Sequence, residues 1–123
     1  MKILVTNDDG VRAEGLASLV RVAKEFGQVV VCAPDRERSA CSHAMTMRDP
    51  LRMKHLPWSE VAAPWGIWSG NEEIEAYEVN GVPVDCVNVA LATVLSDGCD
   101  LVLSGINNGP NLGFDVTYSG TAA

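Results

Sequence analysis

The sequence is poor in positive charge and has no long hydrophobic run. Its 123 residues carry 9 Lys and Arg against 16 Asp and Glu, which gives a net charge of −7. Nucleic-acid binding needs a basic surface, so this balance argues against nonspecific binding to DNA or RNA. No apolar stretch approaches the roughly 18 residues of a membrane span, and Met1-Lys2 leads directly into a strand-like run without a signal peptide. We therefore expect neither DNA nor a membrane as a partner.

Several familiar motifs are also absent. The four cysteines (Cys32, Cys41, Cys86 and Cys99) form no Cys-x-x-Cys unit, and Cys32 and Cys86 lie within apolar runs. Such cysteines are typical of small buried side chains in a reducing cytoplasm. Neither G-x-x-x-x-G-K-[ST] nor G-x-G-x-x-G occurs, so P-loop and dinucleotide-binding functions are not indicated. Ser39 lacks a G-x-S-x-G context and is not expected to act as a hydrolase nucleophile.

What is present is the alternating pattern of an α/β domain. Short apolar runs predict buried strands over 2–6, 28–33 and 100–106. Periodic apolar positions predict helices over 13–26 and 83–95. The first strand, helix and second strand form a βαβ unit, whose strands should be parallel. The alternation predicts an open α/β sheet.

Each predicted helix has an apolar face that should contact the sheet. The first face comprises Leu16, Leu19, Val20, Ala23 and Phe26, and the second comprises Cys86, Val87, Ala90, Leu91, Val94 and Leu95. The middle of the chain, 40–80, is less regular and is predicted to form short strands and loops. Its histidines, His43 and His55, are expected to be surface or packing residues. Its tryptophans at 58, 65 and 68 are expected to pack in the core or a lid, with base stacking as the alternative.

Polar clusters follow the predicted strands at the points where they end. These clusters cover 7–10, 35–39 and 104–111, and a fourth lies at 119–121. Ligands of open α/β sheets bind at the carboxyl ends of the strands. We therefore expect the clusters to converge on one edge of the sheet.

Two adjacent carboxylates in the first cluster indicate a cation. Asp8 and Asp9 would repel each other without a neutralising ion. With oxygen donors from Ser39 and Asn107 they would form a hard, all-oxygen site that suits Mg²⁺ or Mn²⁺ rather than zinc. The alternative is an ordinary turn that caps a helix, for which Asp and Gly are equally suited.

The other clusters have the composition of an anion-binding site. Ser104-Gly105 and Gly109 could present backbone N–H groups, and residues 119–121 at a helix start would cradle a phosphate. The alternative is that Gly and Asn merely permit tight turns.

Taken together, these segments resemble the SurE family of survival proteins, which are metal-dependent 5′/3′-nucleotidases. The similarity is carried by KILVTNDDG at the start, APDRERSA at 33–40, GVPVDCV at 81–87, and SGINNGPNLG with YSGTAA from 104 onward. It covers nearly the whole chain apart from about 49–80. The resemblance implies a Rossmann-like, three-layer, mostly parallel open sheet that is truncated at the C-terminus. Residues 1–123 would then be the N-terminal part of a single SurE-like α/β domain.

The resemblance also implies roles for individual residues. The metal ligands would be Asp8, Asp9, Ser39 and Asn107, around one Mg²⁺ or Mn²⁺ ion. Asp8 and Asn107 would be catalytic, with Asp8 handling the attacking water or acting as the nucleophile. The residues around the phosphate would be Asn7, Ser104, Gly105, Asn111, Ser119, Gly120 and Thr121.

The implied function is hydrolysis of nucleoside 5′- and 3′-monophosphates to nucleoside and phosphate, with short polyphosphate as a further substrate. The resemblance implies a full-length homodimer or homotetramer. Two alternatives stay open at this point. One is a fragment that binds metal or nucleotide without turnover, because a C-terminal half would be missing. The other is a receiver-like signalling domain, which also has acidic residues after its first strand.

Overall fold

The structure is a computed structural model that describes residues 1–37, 50–69 and 73–106 and the backbone of a strand at 117–119. The strands are β1 (Lys2–Thr6), β2 (Gln28–Pro34), β3 (Met53–Leu56), β4 (Ile74–Val79), β5 (Leu101–Ser104) and β6 (Thr117–Ser119). The helices are α1 (Glu14–Ala23), α2 (Trp58–Val61) and α3 (Pro83–Ala92), and a short 3₁₀ turn spans Ala63–Trp65.

The described strands form one mixed sheet in the order β3-β4-β2-β1-β5-β6. Its four central strands are parallel, and the strands at the two ends, β3 and β6, run antiparallel to their neighbours. The register pairs Leu4 of β1 with Val30 of β2 and with Val102 of β5. The predicted open, mostly parallel sheet is therefore confirmed.

Alternating side chains of the central strands divide the core into two layers. Ile3 and Val5 of β1 pack with α1 and α2, whereas Leu4 packs with α3 on the opposite face. Strands buried on both faces are continuously apolar, and β1 and β2 have this composition. The helices on both faces make the fold three-layered, as predicted.

The predicted strands and helices are confirmed, but both helices end earlier than expected. α1 ends at Ala23, and the N–H groups of Glu25 and Phe26 donate to carbonyls three residues back. This tighter turn rotates Phe26 off the apolar face, so its side chain is 67% exposed and its predicted burial is wrong. α3 ends at Ala92, and Val94 beyond it is likewise exposed rather than buried.

The irregular middle of the chain supplies a central strand that the sequence pattern did not single out. β4 runs parallel to β2 over six residue pairs. The tryptophans of this region pack against α1: Trp58 and Trp68 meet edge to face at 5.4 Å, and the Arg21 guanidinium lies 4.0 Å from the Trp68 ring centre. The predicted packing role is therefore confirmed for Trp58 and Trp68. It is wrong for Trp65, which is 39% exposed. Among the described residues, no helix is both long and apolar enough to cross a bilayer.

Candidate functional site

The segment that follows β1 forms a closed turn around two acidic residues. The side-chain amide of Asn7 donates to the Gly10 carbonyl at 2.9 Å, and the Gly10 N–H donates to Asn7 Oδ1 at 3.1 Å. Asn7 is fully buried, whereas Asp8 and Asp9 are half-buried. The turn therefore fixes its two ends inside the protein, whereas its two acidic residues are only partly buried.

Gly10 lets this turn pack directly against the end of β2. Its φ of +111° lies in the left-handed region, and a Cβ there would come within 3.1 Å of the Arg36 backbone. The next residue, Val11, donates its N–H to the Pro34 carbonyl at 2.8 Å. The acidic turn is thus held beside the carboxyl end of β2, five residues before the predicted ligand Ser39, which lies outside the described residues.

The end of β5 is held against the same region by backbone contacts. The Gly105 N–H donates to the Thr6 carbonyl at 3.0 Å, which extends the β1–β5 pairing past Ser104. The Ile106 N–H donates to the Gly15 carbonyl at the start of α1, at 3.4 Å. Ile106, the residue directly before the predicted ligand Asn107, is therefore held beside the first turn of α1.

The structure brings the described members of the predicted site to one edge of the sheet. Asn7, Asp8 and Asp9 follow β1, and Ser104 and Gly105 stand at the end of the neighbouring strand β5. The other predicted residues lie outside the described residues: Ser39, Asn107, Asn111, Gly120 and Thr121. The expected convergence therefore holds for the described parts of the clusters that follow β1, β2 and β5.

Ser119 departs from the expected arrangement. The sequence pattern placed it at a helix start, but its backbone belongs to β6, which pairs antiparallel with β5. Ser119 stands opposite Val102, two residues before the end of β5 at Ser104. Edge pairing along β5 satisfies backbone groups that a helix start would leave free, and this explains the difference.

Charged and ionisable groups near this edge are paired. Arg12, just after the acidic turn, forms a 3.0 Å ion pair with Glu78 of β4, and its carbonyl accepts the Trp65 Nε1–H. On the other face of β4, burial and a hydrogen bond to Glu75 raise the pKa of Tyr77 to about 12. The exposed His55 ring lies 5.1 Å from the Tyr77 ring at a tilt of 54°, in agreement with the predicted surface or packing role.

The thiols predicted to be buried lie in the core layer between the sheet and α3. Cys32 and Cys86 are fully buried and free, and both belong to the core layer under α3. Contact with the Cys32 thiol, and then burial, raise the pKa of Cys86 well above its usual value. The nearby Thr6 hydroxyl lowers it, although its oxygen has no hydrogen bond of good geometry among the described residues.

Two residues that position this edge were not identified from the sequence. Gly15 interrupts the apolar pattern of α1, and a Cβ there would overlap the Ile106 carbonyl. A glycine inside a helical pattern is a signal of close backbone approach. Thr6, the last residue of β1, is buried although polar, and no sequence signal distinguished it from an ordinary strand residue.

The described donors fit a hard divalent cation. Asp8 and Asp9 supply two carboxylates, which Mg²⁺ and Mn²⁺ prefer and zinc does not. Within residues 1–37, 50–69 and 73–106, no three His, Cys, Asp or Glu side chains cluster around a common point. A site here would therefore need further oxygen donors of other types, such as the Ser and Asn predicted from the sequence.

Comparison with known proteins places the chain in a family. The family model described as "Survival protein SurE" matches residues 3–123. The chain is 48% identical to a protein named 5′-nucleotidase SurE from Alkaliphilus metalliredigens, and 49% identical to one of the same name from Citrifermentans bemidjiense. Both alignments cover all of this chain, but only 44% and 43% of the respective relatives. The chain thus spans less than half the length of these curated relatives.

A solved structure supports the same assignment. The SurE protein from Aquifex aeolicus superimposes with a TM-score of 0.64 at 37% identity, over 92% of this chain and 40% of the other. The shared architecture agrees with a Rossmann-like α/β sheet, and the range matched by the family model includes the acidic turn and the end of β5. Because the family match runs from the first strand to the last residue, this chain belongs to the SurE family.

Proposed function

We propose that this chain carries the metal-binding and phosphate-binding part of a nucleotidase that hydrolyses nucleoside 5′- and 3′-monophosphates. The observation that supports this most is the placement of Asp8 and Asp9 beside the ends of two neighbouring parallel strands. The relatives named 5′-nucleotidase SurE support the reaction class. Because they are more than twice as long, the activity of the whole protein is part of the proposal.

In this proposal the metal ligands are Asp8, Asp9, Ser39 and Asn107, around one Mg²⁺ or Mn²⁺ ion. When bound, the ion supplies positive charge that stabilises the phosphoryl oxygens. The phosphate is surrounded by backbone and side-chain donors of Ser104, Gly105, Asn111, Ser119, Gly120 and Thr121. Asn107 orients the phosphoryl group.

Asp8 takes part in the attack at phosphorus in one of two roles. It is either the base that accepts a proton from the attacking water or the nucleophile itself. Direct attack by water inverts the configuration at phosphorus. Attack by Asp8 followed by hydrolysis retains it, because two displacements occur. The stereochemical outcome with a chiral phosphate ester therefore distinguishes the two roles.

Other properties are proposed at the level of the whole protein. Residues 1–123 form the N-terminal part of one domain, and the relatives' greater length supports this.

The buried free cysteines support a cytoplasmic location. Short polyphosphate is proposed as a further substrate, and a homodimer or homotetramer as the assembly. A negative net charge supports the absence of DNA as a partner.

The test is phosphate release from a panel of nucleoside 5′- and 3′-monophosphates and short polyphosphate, with Mn²⁺, Mg²⁺ or EDTA. Asp8→Asn should lower the rate at least about 100-fold, a typical loss for a residue that transfers a proton in the reaction. Asp97→Asn, an exposed residue after α3, is the matched control and should leave the rate unchanged. Turnover that survives both EDTA and Asp8→Asn would contradict the proposal.

A second candidate function is supported by the length comparison. The chain spans only 42–44% of these relatives, so a binding site can form without the residues that complete catalysis. Saturable Mn²⁺ and nucleotide binding with background phosphate release would support this candidate. Measurable turnover by the 123-residue chain would exclude it.

A further inference from the structure

The side chain of Asn7 uses both of its polar atoms on one residue. Its amide nitrogen donates to the Gly10 carbonyl and its amide oxygen accepts the Gly10 N–H. The two residues that this bridge encloses are Asp8 and Asp9. The Asn7 side chain therefore determines the span of the turn that contains both acidic residues.

Burial makes this bridge hard to replace. Asn7 is 0% exposed and Gly10 is also buried. Without the amide, the Gly10 N–H would lose its partner in a place that water does not reach freely, and an unsatisfied buried donor is costly. The Gly10 carbonyl would keep one partner, the Ala13 N–H at 3.2 Å.

The neighbouring contacts leave the turn little freedom to adopt another shape. Gly10 has a φ of +111° and packs on the Arg36 backbone, so its conformation tolerates no side chain. Val11 is tied to Pro34 of β2 directly after it. Asp8 and Asp9 lie between Asn7, directly after β1, and this fixed segment, so a change at position 7 would move them.

We propose that Asn7 is a positioning residue that sets the cation affinity of the acidic turn without touching the cation or the substrate. This role differs from the phosphate contact predicted for it, because its side chain is fully buried and both of its polar atoms bind Gly10. The inference rests on the proposed function, since it requires a divalent cation at Asp8 and Asp9. Substitution of a residue that orients metal ligands typically lowers the metal affinity 10- to 100-fold.

The experiment measures the Mn²⁺ dissociation constant of the 123-residue chain by calorimetry and by electron paramagnetic resonance, well below the unfolding temperature. Asn7→Leu keeps the shape of the side chain but cannot form either hydrogen bond. Asp9→Asn removes a proposed ligand. Val29→Ala, in the core layer of α1, is the control for a general loss of stability.

We expect Asn7→Leu to bind Mn²⁺ at least about tenfold more weakly than the wild type, while Val29→Ala keeps the wild-type affinity. An unchanged affinity in Asn7→Leu would overturn the inference about Asn7 and leave the proposed metal site standing. An equal loss of affinity in Val29→Ala would have the same consequence. Wild-type binding no tighter than that of Asp9→Asn would overturn the proposed metal site itself. If Asn7→Leu does not fold, Asn7→Ser is judged by the same criteria, because its shorter hydroxyl cannot bridge both Gly10 groups.

Discussion

Gly15 and Ile106 meet backbone to backbone at the point where the first helix approaches the end of β5. The Ile106 N–H donates to the Gly15 carbonyl at 3.4 Å, and a Cβ on Gly15 would overlap the Ile106 carbonyl oxygen. This contact fixes the chain immediately before Asn107, a residue that the proposed site requires. The absence of a side chain at position 15 is therefore a requirement of the site's geometry.

Gly15→Ala should destabilise the protein although it improves helix propensity. Propensity alone predicts a gain of about 1 kcal/mol in the free energy of unfolding. Overpacking against an immobile carbonyl costs about 1–3 kcal/mol, so we expect a net loss. Urea unfolding measures the difference. Ser18→Ala, at an exposed position of the same helix, is the control and should be neutral or slightly stabilising. A more stable Gly15→Ala would show that the contact does not constrain the structure.

Mn²⁺ should stabilise the folded chain through the acidic turn. A ligand that binds only the native state at 100 times its dissociation constant adds about 2.7 kcal/mol to the free energy of unfolding. We expect this gain in the wild type and in Asp97→Asn, but not in Asp8→Asn or Asp9→Asn. Thermal and urea unfolding with and without Mn²⁺ provide the measurement. A gain of the same size in all four proteins would place the ion elsewhere.

Tyr77 should make stability depend on pH in the alkaline range. Its pKa rises from 10.0 to about 12 on folding, so the folded protein holds the proton more tightly than the unfolded chain. The resulting stabilisation is fully present below pH 10 and is lost as the pH rises through 12. The wild type should therefore lose more stability than Tyr77→Phe between about pH 9 and about pH 11. Glu75→Gln should lie between them, and parallel pH profiles for all three would contradict the expectation.

The buried thiols should resist alkylation in the native protein. Cys86 has a raised pKa because it contacts Cys32 and is buried, and the thiolate is the reactive form. At about pH 8, iodoacetamide should modify Cys32 and Cys86 only after unfolding. Mass spectrometry of peptides from native and urea-treated protein locates the modified residues. Native alkylation at rates near those in urea would mean that the α3 layer opens readily.

Local sequence features determined most of the elements. The β-branched runs of β1 and β2 and the apolar period of α1 require only short-range order and burial, so their existence was predictable. The acidic turn was predictable as well, because Asn7-Asp8-Asp9-Gly10 directly follows a buried strand. These are properties of a few neighbouring residues.

Element ends and the order of strands were less predictable. Phe26 fits the α1 period, but a tighter last turn carries it to the surface. β4 lacks a continuous apolar run, since Glu75 and Glu78 alternate with its buried positions, so its place beside β2 follows from tertiary packing. The strand conformation of Ser119 likewise depends on its pairing with Val102, a partner distant in sequence.

Local strand and turn propensities are enough to specify an α/β fold with oxygen-rich clusters after its strands. Which of these clusters meet depends on how the strands pair. Parallel pairing of β1 with β2 and β5 brings the acidic turn beside Gly105, and the glycine contact at position 15 holds Ile106 in place. Hydrogen bonds from Asn7 then give the turn its shape. These relationships join residues that are far apart along the chain, so only packing can specify them.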